Sequence, residues 1–416
     1  MYDLAIIGAS PEGISAAQRG ISNYPASRIA LITQGWEGVW AERASTKKSG
    51  GQSDWTEAEP TEKLRQLAAF GVDVIPAIGH FKQTETELAW QGDQRALTAQ
   101  AYLLTTAVER YQATQGALTQ IPSGNLTSHP SGAKTWGIWG AFPQHLVLAQ
   151  TLAQHGHSVQ LFTRNAHLLP EEDREMGHLL RWYLEAQGIK IWRNCHRFTA
   201  NFIPDSQTYQ LSVQSGTTTH GLQIDQLLQP QCLKLPWHWL KALPDFCPAI
   251  KANAPYVEVN DCLQTAHPQI FACGGSLKGY SSEAIAIQEA NYVVDRVLGN
   301  SQRPINYAQI PFGIDLNPPW YRVGLSEQQA TAQWEKIHVY YGYEAYQGAS
   351  PLRGGCKILA NQQDQMVGAH WFGASAKAGI SLLTLGMTGG VTVEALKNLP
   401  VVDSGVAQVL QDLSQR

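Results

Sequence analysis

The chain has 416 residues, 44% of them hydrophobic and 15% charged, which is ordinary composition for about two to three globular domains. Thirty lysines and arginines against 34 aspartates and glutamates give a net charge of −4, so no basic surface is expected and nucleic acid is excluded as an expected partner. No apolar run approaches the roughly 18 residues that span a bilayer, and the start of the chain lacks the charged region of a signal peptide, so we expect a cytoplasmic protein without a membrane span.

The chain opens with the pattern strand, turn, helix, strand. Tyr2–Gly8 is a short apolar run rich in β-forming residues, apolar positions of residues 9–20 recur at helical spacing, and Arg28–Thr33 is a second apolar strand. Such a βαβ unit packs into a parallel sheet through a right-handed crossover. We therefore expect a parallel α/β fold at the start of the chain.

The turn inside this unit runs from Gly8 to Gly13 with the sequence GASPEG. A dinucleotide-binding turn uses one glycine for the tight bend, a second for close approach of the backbone to the pyrophosphate, and a third for packing the helix on the strand. Gly8 and Gly13 match the first and third, and Ser10, with its small side chain, stands at the second. By itself the turn is compatible with a dinucleotide site or with a purely structural corner.

The same pattern recurs in the middle of the chain, with a strand at Thr135–Gly140, a helix at Gln144–His155 and a strand at Ser158–Thr163. The turn of this second unit has the sequence GAFPQH. Phe142 stands where the absence of a side chain would let a pyrophosphate approach, and His145 stands where the packing glycine belongs. NAD(P) binding at this turn is therefore disfavoured.

Other polar residues of the chain have ordinary explanations. Arg164 follows the strand that would face a 2′-phosphate, but a solvated surface arginine is the preferred interpretation. His155, His157 and His167 are interpreted as solvated histidines rather than as a metal cluster. The six cysteines lie far apart and form no CxxC pair, which argues against a zinc site and against a locally formed redox dithiol.

From Pro311 onward the pattern becomes that of an antiparallel sheet. Aromatic alternation in Ile337–Tyr346 is followed by strands at Gly355–Ala360 and Gln365–Phe372 around a polar turn. A helix is predicted at Ser375–Met387. These elements predict a third domain of α+β type, with helices on one side of the sheet.

Four stretches together resemble the pyridine-nucleotide disulfide oxidoreductases, the family of lipoamide dehydrogenase and glutathione reductase. They are the first turn, the second βαβ unit, the segment Tyr256–Gly275 and the tail from Pro319. The resemblance implies two parallel-sheet dinucleotide-binding (Rossmann-like) domains and a C-terminal α+β dimerisation domain. The implied boundaries are 1–122 with 236–305 for an FAD-binding domain, 123–235 for an NAD(P)-type domain that is degenerate here, and 306–416 for dimerisation into a homodimer.

The resemblance also implies where FAD would bind. Thr33 stands where the family has an acid for the ribose hydroxyls, and Gly275 stands where it has the aspartate of a Gly-Asp pair. Lys48 lies near the position of a lysine beside the flavin. We still favour FAD as the cofactor, because the first turn and the strand and helix around residue 274 are intact. The implied cofactor-binding residues are Gly8, Ser10, Pro11, Glu12, Gly13, Thr33, Lys48, Gly274 and Gly275.

The chain departs from the family at the positions of its disulfide chemistry. Trp40 and Ser45 stand at the two cysteines of the CxxxxC pair, and neither side chain can replace a thiolate. Leu399 and Ser404 stand at the histidine and glutamate of the C-terminal dyad, and leucine cannot transfer a proton. We therefore expect no disulfide reduction. Trp36, Trp40 and Trp55 are interpreted as core filling in preference to stacking on a flavin.

Three functional hypotheses follow. The first is an FAD-binding oxidoreductase that does not act on disulfides, with an electron-carrier protein such as a ferredoxin, or a small molecule such as a quinone, as its electron partner. The second is an inactive pseudoenzyme that serves as a dimeric binding or regulatory module. The third is an NAD(P)H-dependent reductase with a rearranged site. The sequence identifies no catalytic residue.

Overall fold

A computed structural model describes most of the chain. The described residues are 1–33, 60–83, 87–92, 95–105, 109–110, 134–228, 233–234, 257–277, 282–344, 354–400 and 404–415. The chain divides into two compact units, Met1–Gln112 with Gln231–Ile305 and Ala113–Pro230 with Asn306–Arg416. Within the described ranges, every helix is too short or too polar to cross a bilayer.

The strands and helices of the described residues follow in chain order. The strands are β1 (Tyr2–Ile7), β2 (Ile29–Ile32), β3 (Asp73–Ile75), β4 (Gly79–Gln83), β5 (Leu88–Gly92), β6 (Ala96–Leu104), β7 (Glu109–Arg110), β8 (Thr135–Trp139), β9 (Ser158–Phe162), β10 (Lys190–Trp192), β11 (Cys195–Ile203), β12 (Thr208–Ser215), β13 (Thr218–Ile224), β14 (Gln226–Leu228), β15 (Leu233–Lys234), β16 (Ile270–Ala272), β17 (Phe312–Ile314), β18 (Trp320–Gly324), β19 (His338–Tyr343), β20 (Gly355–Ala360), β21 (Met366–Phe372) and β22 (Ser414–Gln415). The helices are α1 (Pro11–Asn23), α2 (Pro60–Ala69), α3 (Pro143–Gln154), α4 (Arg174–Ala186), α5 (Glu283–Val297), α6 (Glu327–Gln333), α7 (Ala376–Thr388), α8 (Val393–Lys397) and α9 (Ser404–Gln411).

The first unit is built on a sheet whose described strands run in the order β3-β2-β1-β6-β5-β4, with β16 also paired to β6. Strands β3, β2, β1, β6 and β16 are parallel, whereas β4 and β5 form an antiparallel meander with the start of β6. The predicted β1–α1–β2 unit is confirmed. The meander was not predicted, because its short strands mix polar and apolar residues without a clear period.

Both faces of this parallel sheet are covered, which explains why β1 is apolar at consecutive positions. Ala5 and Ile7 pack with the meander residues Phe81 and Trp90. Leu4 and Ile6 point to the opposite face and belong to the cluster that includes residues of α1 and α5. The two helices are also tied together by Arg19, whose guanidinium donates two hydrogen bonds to the Asp295 carboxylate at 2.8 and 2.6 Å.

The second unit contains three sheets in its described part. A parallel sheet has the order β10-β9-β8-β14, an antiparallel meander has the order β11-β12-β13, and a larger antiparallel sheet has the order β17-β18-β21-β20-β19-β22. The second βαβ unit is confirmed as β8, α3 and β9. The antiparallel C-terminal sheet is confirmed as well, and β20 spans the predicted residues.

The helix α7 corrects one expectation about the C-terminal region. The apolar residues of Ile380–Met387 predict a helix face that would lie exposed if the C-terminal domain were unpaired. Instead Ile380 and Leu383 are buried within the chain, in a core shared with Trp371 of β21. Leu385, on the other side of α7, is 71% exposed. The face of α7 that carries Ile380 and Leu383 is therefore no argument for a dimer, and both the homodimer and the three-domain division remain predictions.

Candidate site at the first turn

The turn between β1 and α1 has the conformation of a close strand-to-helix connection. Gly8 has φ of +119°, a region that favours glycine. A Cβ on Gly13 would overlap the carbonyl oxygen of Gly8, so only glycine fits between the helix and the end of the strand. The two glycines therefore have the structural roles that their spacing predicted.

Ser10 starts α1, and its side chain points into the protein. Its Oγ donates to the Thr105 carbonyl at 2.7 Å and accepts from the Gly13 N–H at 3.4 Å, while the residue is only 3% exposed. This is the position of a helix N-cap, followed by Pro11 at the first helical position. The serine therefore replaces the second glycine without placing its side chain over the outer face of the turn.

Glu12 lies beneath this turn and is 9% exposed. Its carboxyl takes a hydrogen bond from its own backbone N–H and lies within hydrogen-bond reach of the Ser10 hydroxyl. Burial raises the pKa of the carboxyl, and the nearby carboxylates of Glu283 and Glu289 add to this rise. Sequence reasoning included Glu12 among the cofactor-binding residues but gave it no separate role.

The turn after β16 meets the same place. Gly274 has φ of +64°, and its N–H donates to Glu289 Oε2 at 2.7 Å. A Cβ on Gly274 would lie 3.1 Å from Glu12 Oε1, so the glycine lets the two turns come together. Gly275 follows and is exposed. The structure thus brings together the two sets of residues, 8–13 and 274–275, that the resemblance assigned to FAD.

Thr33 follows β2 and is 1% exposed. Its backbone N–H donates to the Ile75 carbonyl at 3.0 Å, which fixes the residue at the carboxyl end of the parallel sheet. Its side-chain Oγ1 is buried and has no hydrogen-bond partner among the described residues. A buried hydroxyl without a partner costs free energy, about 1–3 kcal/mol, unless a ligand or water satisfies it.

An apolar cavity of about 400 Å³ opens beside the end of β2. Ile32, the residue before Thr33, lines it together with Ile75 at the end of β3. Trp90 and Leu97 of the meander form another wall, and Arg95 lies among its lining residues with its guanidinium 3.0 Å from Asp73. The volume lies within the range of small-molecule sites, roughly 300–1,000 Å³.

The turn of the second βαβ unit differs from the first in what fills it. Gly140 has φ of +111°, but a Cβ there would lie 3.0 Å from His145 Nδ1. His145 is 8% exposed, so its imidazole occupies the space that a packing glycine leaves free, and burial lowers its pKa. Phe142 is the N-terminal boundary residue of α3 and is half exposed, with its ring edge toward that imidazole. Arg164 is exposed, with its guanidinium 5.8 Å from the Trp139 ring centre.

A buried ionic cluster in the second unit escaped sequence reasoning. Lys357 of β20 is 1% exposed, and its Nζ contacts the carboxylates of Asp173 at 3.0 Å, Glu175 at 3.0 Å and Glu327 at 2.6 Å. His370 lies opposite Lys357 in the β20–β21 register, and burial lowers its pKa to about 4. The sequence offered only the acidic run before α4 as a signal, because the cation stands more than 180 residues away.

The remaining predicted residues stand as follows. Lys48, Trp36, Trp40, Ser45 and Trp55 lie outside the described residues. Leu399 follows α8, and Ser404 is the first residue of α9.

The histidines of the described residues make contacts of their own. His157 Nδ1 accepts from the Lys134 N–H at 3.2 Å, and His167 Nδ1 lies 3.2 Å from His178 Nε2. Within the described ranges no three His, Cys, Asp or Glu side chains are placed to hold a metal ion.

Comparison with known proteins gives a family match. Residues 2–290 match the family model described as pyridine nucleotide-disulphide oxidoreductase. The chain is 27% identical over 268 residues to a glutathione reductase of Burkholderia cepacia, an alignment that covers 63% of this chain and 58% of that protein. It is 23% identical over 288 residues to the probable pyridine nucleotide-disulfide oxidoreductase RclA of Escherichia coli, covering 67% and 62% of the two chains. The aligned part thus spans about three fifths of the length of these two relatives.

Solved structures share the fold over nearly the whole chain. LpdA of Mycobacterium tuberculosis superposes with a TM-score of 0.76 at 14% identity, covering 98% of each chain. The Cu(II) complex of the flavoprotein disulfide reductase RclA of Escherichia coli superposes with a TM-score of 0.70 at 19% identity, covering 99% of this chain and 98% of that one. These likenesses establish the fold, a mixed α/β architecture with parallel sheets and an antiparallel C-terminal sheet.

Proposed function

Because the chain belongs to the pyridine nucleotide-disulphide oxidoreductase family, we propose that it is an FAD-binding oxidoreductase whose substrate is not a disulfide. The observation that supports FAD binding is Thr33 at the carboxyl end of β2, whose buried Oγ1 lacks a partner among the described residues. A ligand that carries ribose hydroxyls would satisfy this group. The residues present therefore fit the ribose of FAD.

The roles of the other residues follow from the geometry of the two turns. The backbone of Gly8 to Gly13 and the N-terminus of α1 would hold the diphosphate, since this end of a helix favours anions. The exposed Gly275 leaves room beside the turn for the chain that leads to the flavin, and Lys48 is proposed to lie near the flavin ring. When bound, FAD supplies a ring that accepts a pair of electrons.

The exclusion of disulfide substrates rests on the thiols. The cysteines of the chain are residues 195, 232, 247, 262, 273 and 356, so none stands between β2 and α2, where Trp40 and Ser45 replace the expected pair. Cys195, Cys273 and Cys356 are free and buried, and burial raises the pKa of each thiol. A buried thiol with a raised pKa is a poor nucleophile for disulfide exchange. Leu399 in place of a proton donor supports the same proposal.

The electron source is proposed to be something other than a nicotinamide nucleotide bound at the second turn. His145 fills the packing position under Gly140, and Phe142 stands at the start of α3. Both side chains oppose the close backbone approach that a pyrophosphate needs. An electron-carrier protein or a small molecule is the proposed electron partner, and a homodimer through residues 306–416 is the proposed assembly.

One spectroscopic experiment tests this function. The full-length protein is purified and its absorbance is recorded as isolated, after addition of FAD, and then anaerobically with NADPH followed by dithionite. We expect a bound flavin that dithionite bleaches and NADPH does not. Rapid bleaching by NADPH would favour the rearranged NAD(P)H-dependent reductase, and protein that takes up no FAD would favour the inactive dimeric module. Turnover of lipoamide, glutathione or thioredoxin disulfide above that of free flavin would overturn the exclusion of disulfides.

A further inference from the structure

Two buried glutamates lie where the first turn contacts the turn after β16, and the charge of a third, Glu283, acts on one of them. Glu12 and Glu289 are 9% and 5% exposed, and Glu283 is the first residue of α5. Glu289 accepts the Gly274 N–H, and Glu12 lies against Gly274 from the other side. Among the described residues, no lysine or arginine forms an ion pair with Glu12. Two buried carboxyl groups thus lie beside the place proposed for a diphosphate, with the charge of Glu283 near enough to act on Glu12.

The first turn of α1 offers an incoming anion few backbone donors. An α-helix normally leaves its first four N–H groups without partners, which is why anions bind there. Here Pro11 has no N–H, the Glu12 N–H is bonded to its own carboxyl, and the Gly13 N–H donates to Ser10 Oγ. The Ile14 N–H makes the first regular bond of the helix, to the Ser10 carbonyl at 2.9 Å. The Glu12 carboxylate therefore competes with a phosphate for the N-terminus of α1.

We propose that binding of the FAD diphosphate at this turn takes up one proton at Glu12, so that cofactor affinity falls as pH rises. The inference rests on the function proposed above. A diphosphate beside an ionised Glu12 would add to the charge of Glu283 and Glu289 in a region with little access to water. Protonation of Glu12 removes that repulsion and releases its N–H for the ligand. Thr33, with its unpartnered hydroxyl, is the independent sign that a ligand belongs at this end of the sheet.

The groups that face Glu12 act in both directions, with a net rise of its pKa. Burial and the neighbouring carboxylates raise the pKa, whereas the hydrogen bonds from its own N–H and from the Ser10 hydroxyl lower it. From α1 the Ser10 hydroxyl lies within reach of it, and from α5 the carboxylates of Glu283 and Glu289 act on it. From the turn after β16 it faces Gly274 and the thiol of Cys273, whose pKa burial raises well above its ordinary value, so the thiol stays neutral. Since the pKa of Glu12 is itself raised, the proton is available at a higher pH than for an exposed glutamate.

Calorimetry on the full-length protein freed of flavin tests the proposal. FAD is titrated between pH 6 and 8 in pairs of buffers that differ in ionisation enthalpy, which gives the number of protons taken up directly. We expect uptake approaching one proton, and a Kd that rises by up to about tenfold per pH unit once Glu12 is ionised in the free protein. This measurement needs no variant, and zero proton uptake by the wild-type protein would overturn the proposal.

Variants show whether Glu12 is the group responsible. Glu12→Gln should bind FAD with a Kd that no longer depends on pH. At pH 8 it should bind FAD more tightly than the wild type does. If the Glu12→Gln protein does not fold, Glu12→Ala serves as the second variant. Glu335→Gln, which removes one exposed carboxylate far along the sequence, should keep the wild-type slope. Equal pH slopes for wild type and Glu12→Gln would overturn this inference while leaving FAD binding in place. Absence of FAD binding to every variant at every pH would overturn the proposed function and this inference with it.

Discussion

At the scale of single residues, the first turn shows that a motif position can change its residue and keep its shape. Ser10 stands where a dinucleotide turn has glycine, yet its side chain is directed inward to Thr105 and caps α1. Glycine is needed there only if a side chain would stand over the turn. The sequence predicted only that the small side chain of Ser10 would need little room, and the inward direction of that side chain leaves the outer face of the turn open.

Substitution of Ser10 tests this reasoning. In Ser10→Phe the buried pocket beside Thr105 cannot hold a phenyl ring, so we expect loss of bound FAD and a loss of stability of about 1–3 kcal/mol from overpacking. Ser10→Gly is the matched control and should retain FAD with a stability change of only a few tenths of a kcal/mol, since glycine is tolerated at an N-cap. Flavin absorbance after gel filtration and thermal unfolding measure the two effects. Stoichiometric flavin in Ser10→Phe would show that the cofactor does not contact this turn.

The ionic cluster around Lys357 supports a second prediction at this scale. Lys357→Met leaves the carboxylates of Asp173, Glu175 and Glu327 without their shared cation, and breaking one partner of a buried ion pair costs about 3–5 kcal/mol. The control is Lys377→Met. The exposed ammonium of Lys377 lies 3.6 Å from Asp315, so its removal should lower the free energy of unfolding by less than about 1 kcal/mol. Denaturant unfolding measures both. Equal losses in the two variants would mean that the buried cluster adds nothing beyond a surface pair.

At the scale of elements, the two βαβ units share a backbone plan and differ in what fills the turn. Both have a strand, a glycine with positive φ and a helix with proline at its first position. In the first unit glycine packs the helix on the strand, and in the second the imidazole of His145 does so. The two units therefore differ in the space left at the turn, which is why we propose a ligand site in the first unit and none in the second.

Opening the second turn is the corresponding prediction. Phe142→Gly combined with His145→Gly should create measurable NADPH affinity, because the backbone could then approach a pyrophosphate. The double change should also cost about 1 kcal/mol of stability for glycine in a helix. Calorimetry with NADPH compares the double variant with the wild type and with Phe142→Gly alone, in which His145 still fills the corner. Tight NADPH binding to the unmodified protein would show that Phe142 and His145 do not prevent nucleotide binding at this turn.

At the scale of the whole molecule, the chain keeps the fold of its family over nearly its full length while its sequence has diverged, with 14% and 19% identity to the two solved structures. A fold withstands such divergence because burial pattern and turn chemistry, rather than particular side chains, specify it. Chemistry does not withstand it in the same way, since a thiolate or a proton donor has no substitute of similar shape. Because the fold tolerates sequence divergence better than the chemistry does, the likeness to solved structures establishes the fold of this chain, whereas its activity is a proposal.

The assembly is the prediction at this scale. We expect the intact chain to be a dimer by light scattering, and removal of the residues after Ile305 to cause aggregation or instability. Leu385 and Tyr343 are large, exposed side chains of the C-terminal region, at 71% and 60%. Leu385→Glu should therefore weaken the dimer, whereas Phe70→Glu, at an equally exposed phenylalanine of the first unit, should not. A monodisperse monomer of the intact chain would disprove the dimer.

The sequence by itself determined the elements whose signals are local. The β1–α1–β2 unit, the second βαβ unit and β20 follow from apolar periodicity and from glycine and proline at turns, which act over a few neighbouring residues. The replacement of both thiols and of the proton donor is likewise a prediction from the sequence alone, since it concerns residue types at given positions, and it remains a prediction. The meanders β4–β5–β6 and β11–β12–β13 were missed, because short strands with polar faces carry little periodic signal.

Only the tertiary structure decided how distant residues combine. It placed Glu12 against Gly274, left the Thr33 hydroxyl buried without a partner among the described residues, put the imidazole of His145 under Gly140 and joined Lys357 to Asp173. Burial and the summed field of neighbouring charges set what each of these groups can do, and both depend on side chains that packing brings together from far along the chain. The order of residues along the chain does not show such contacts. The sequence therefore identified the residues of the candidate site, but not that buried carboxyl groups lie together there.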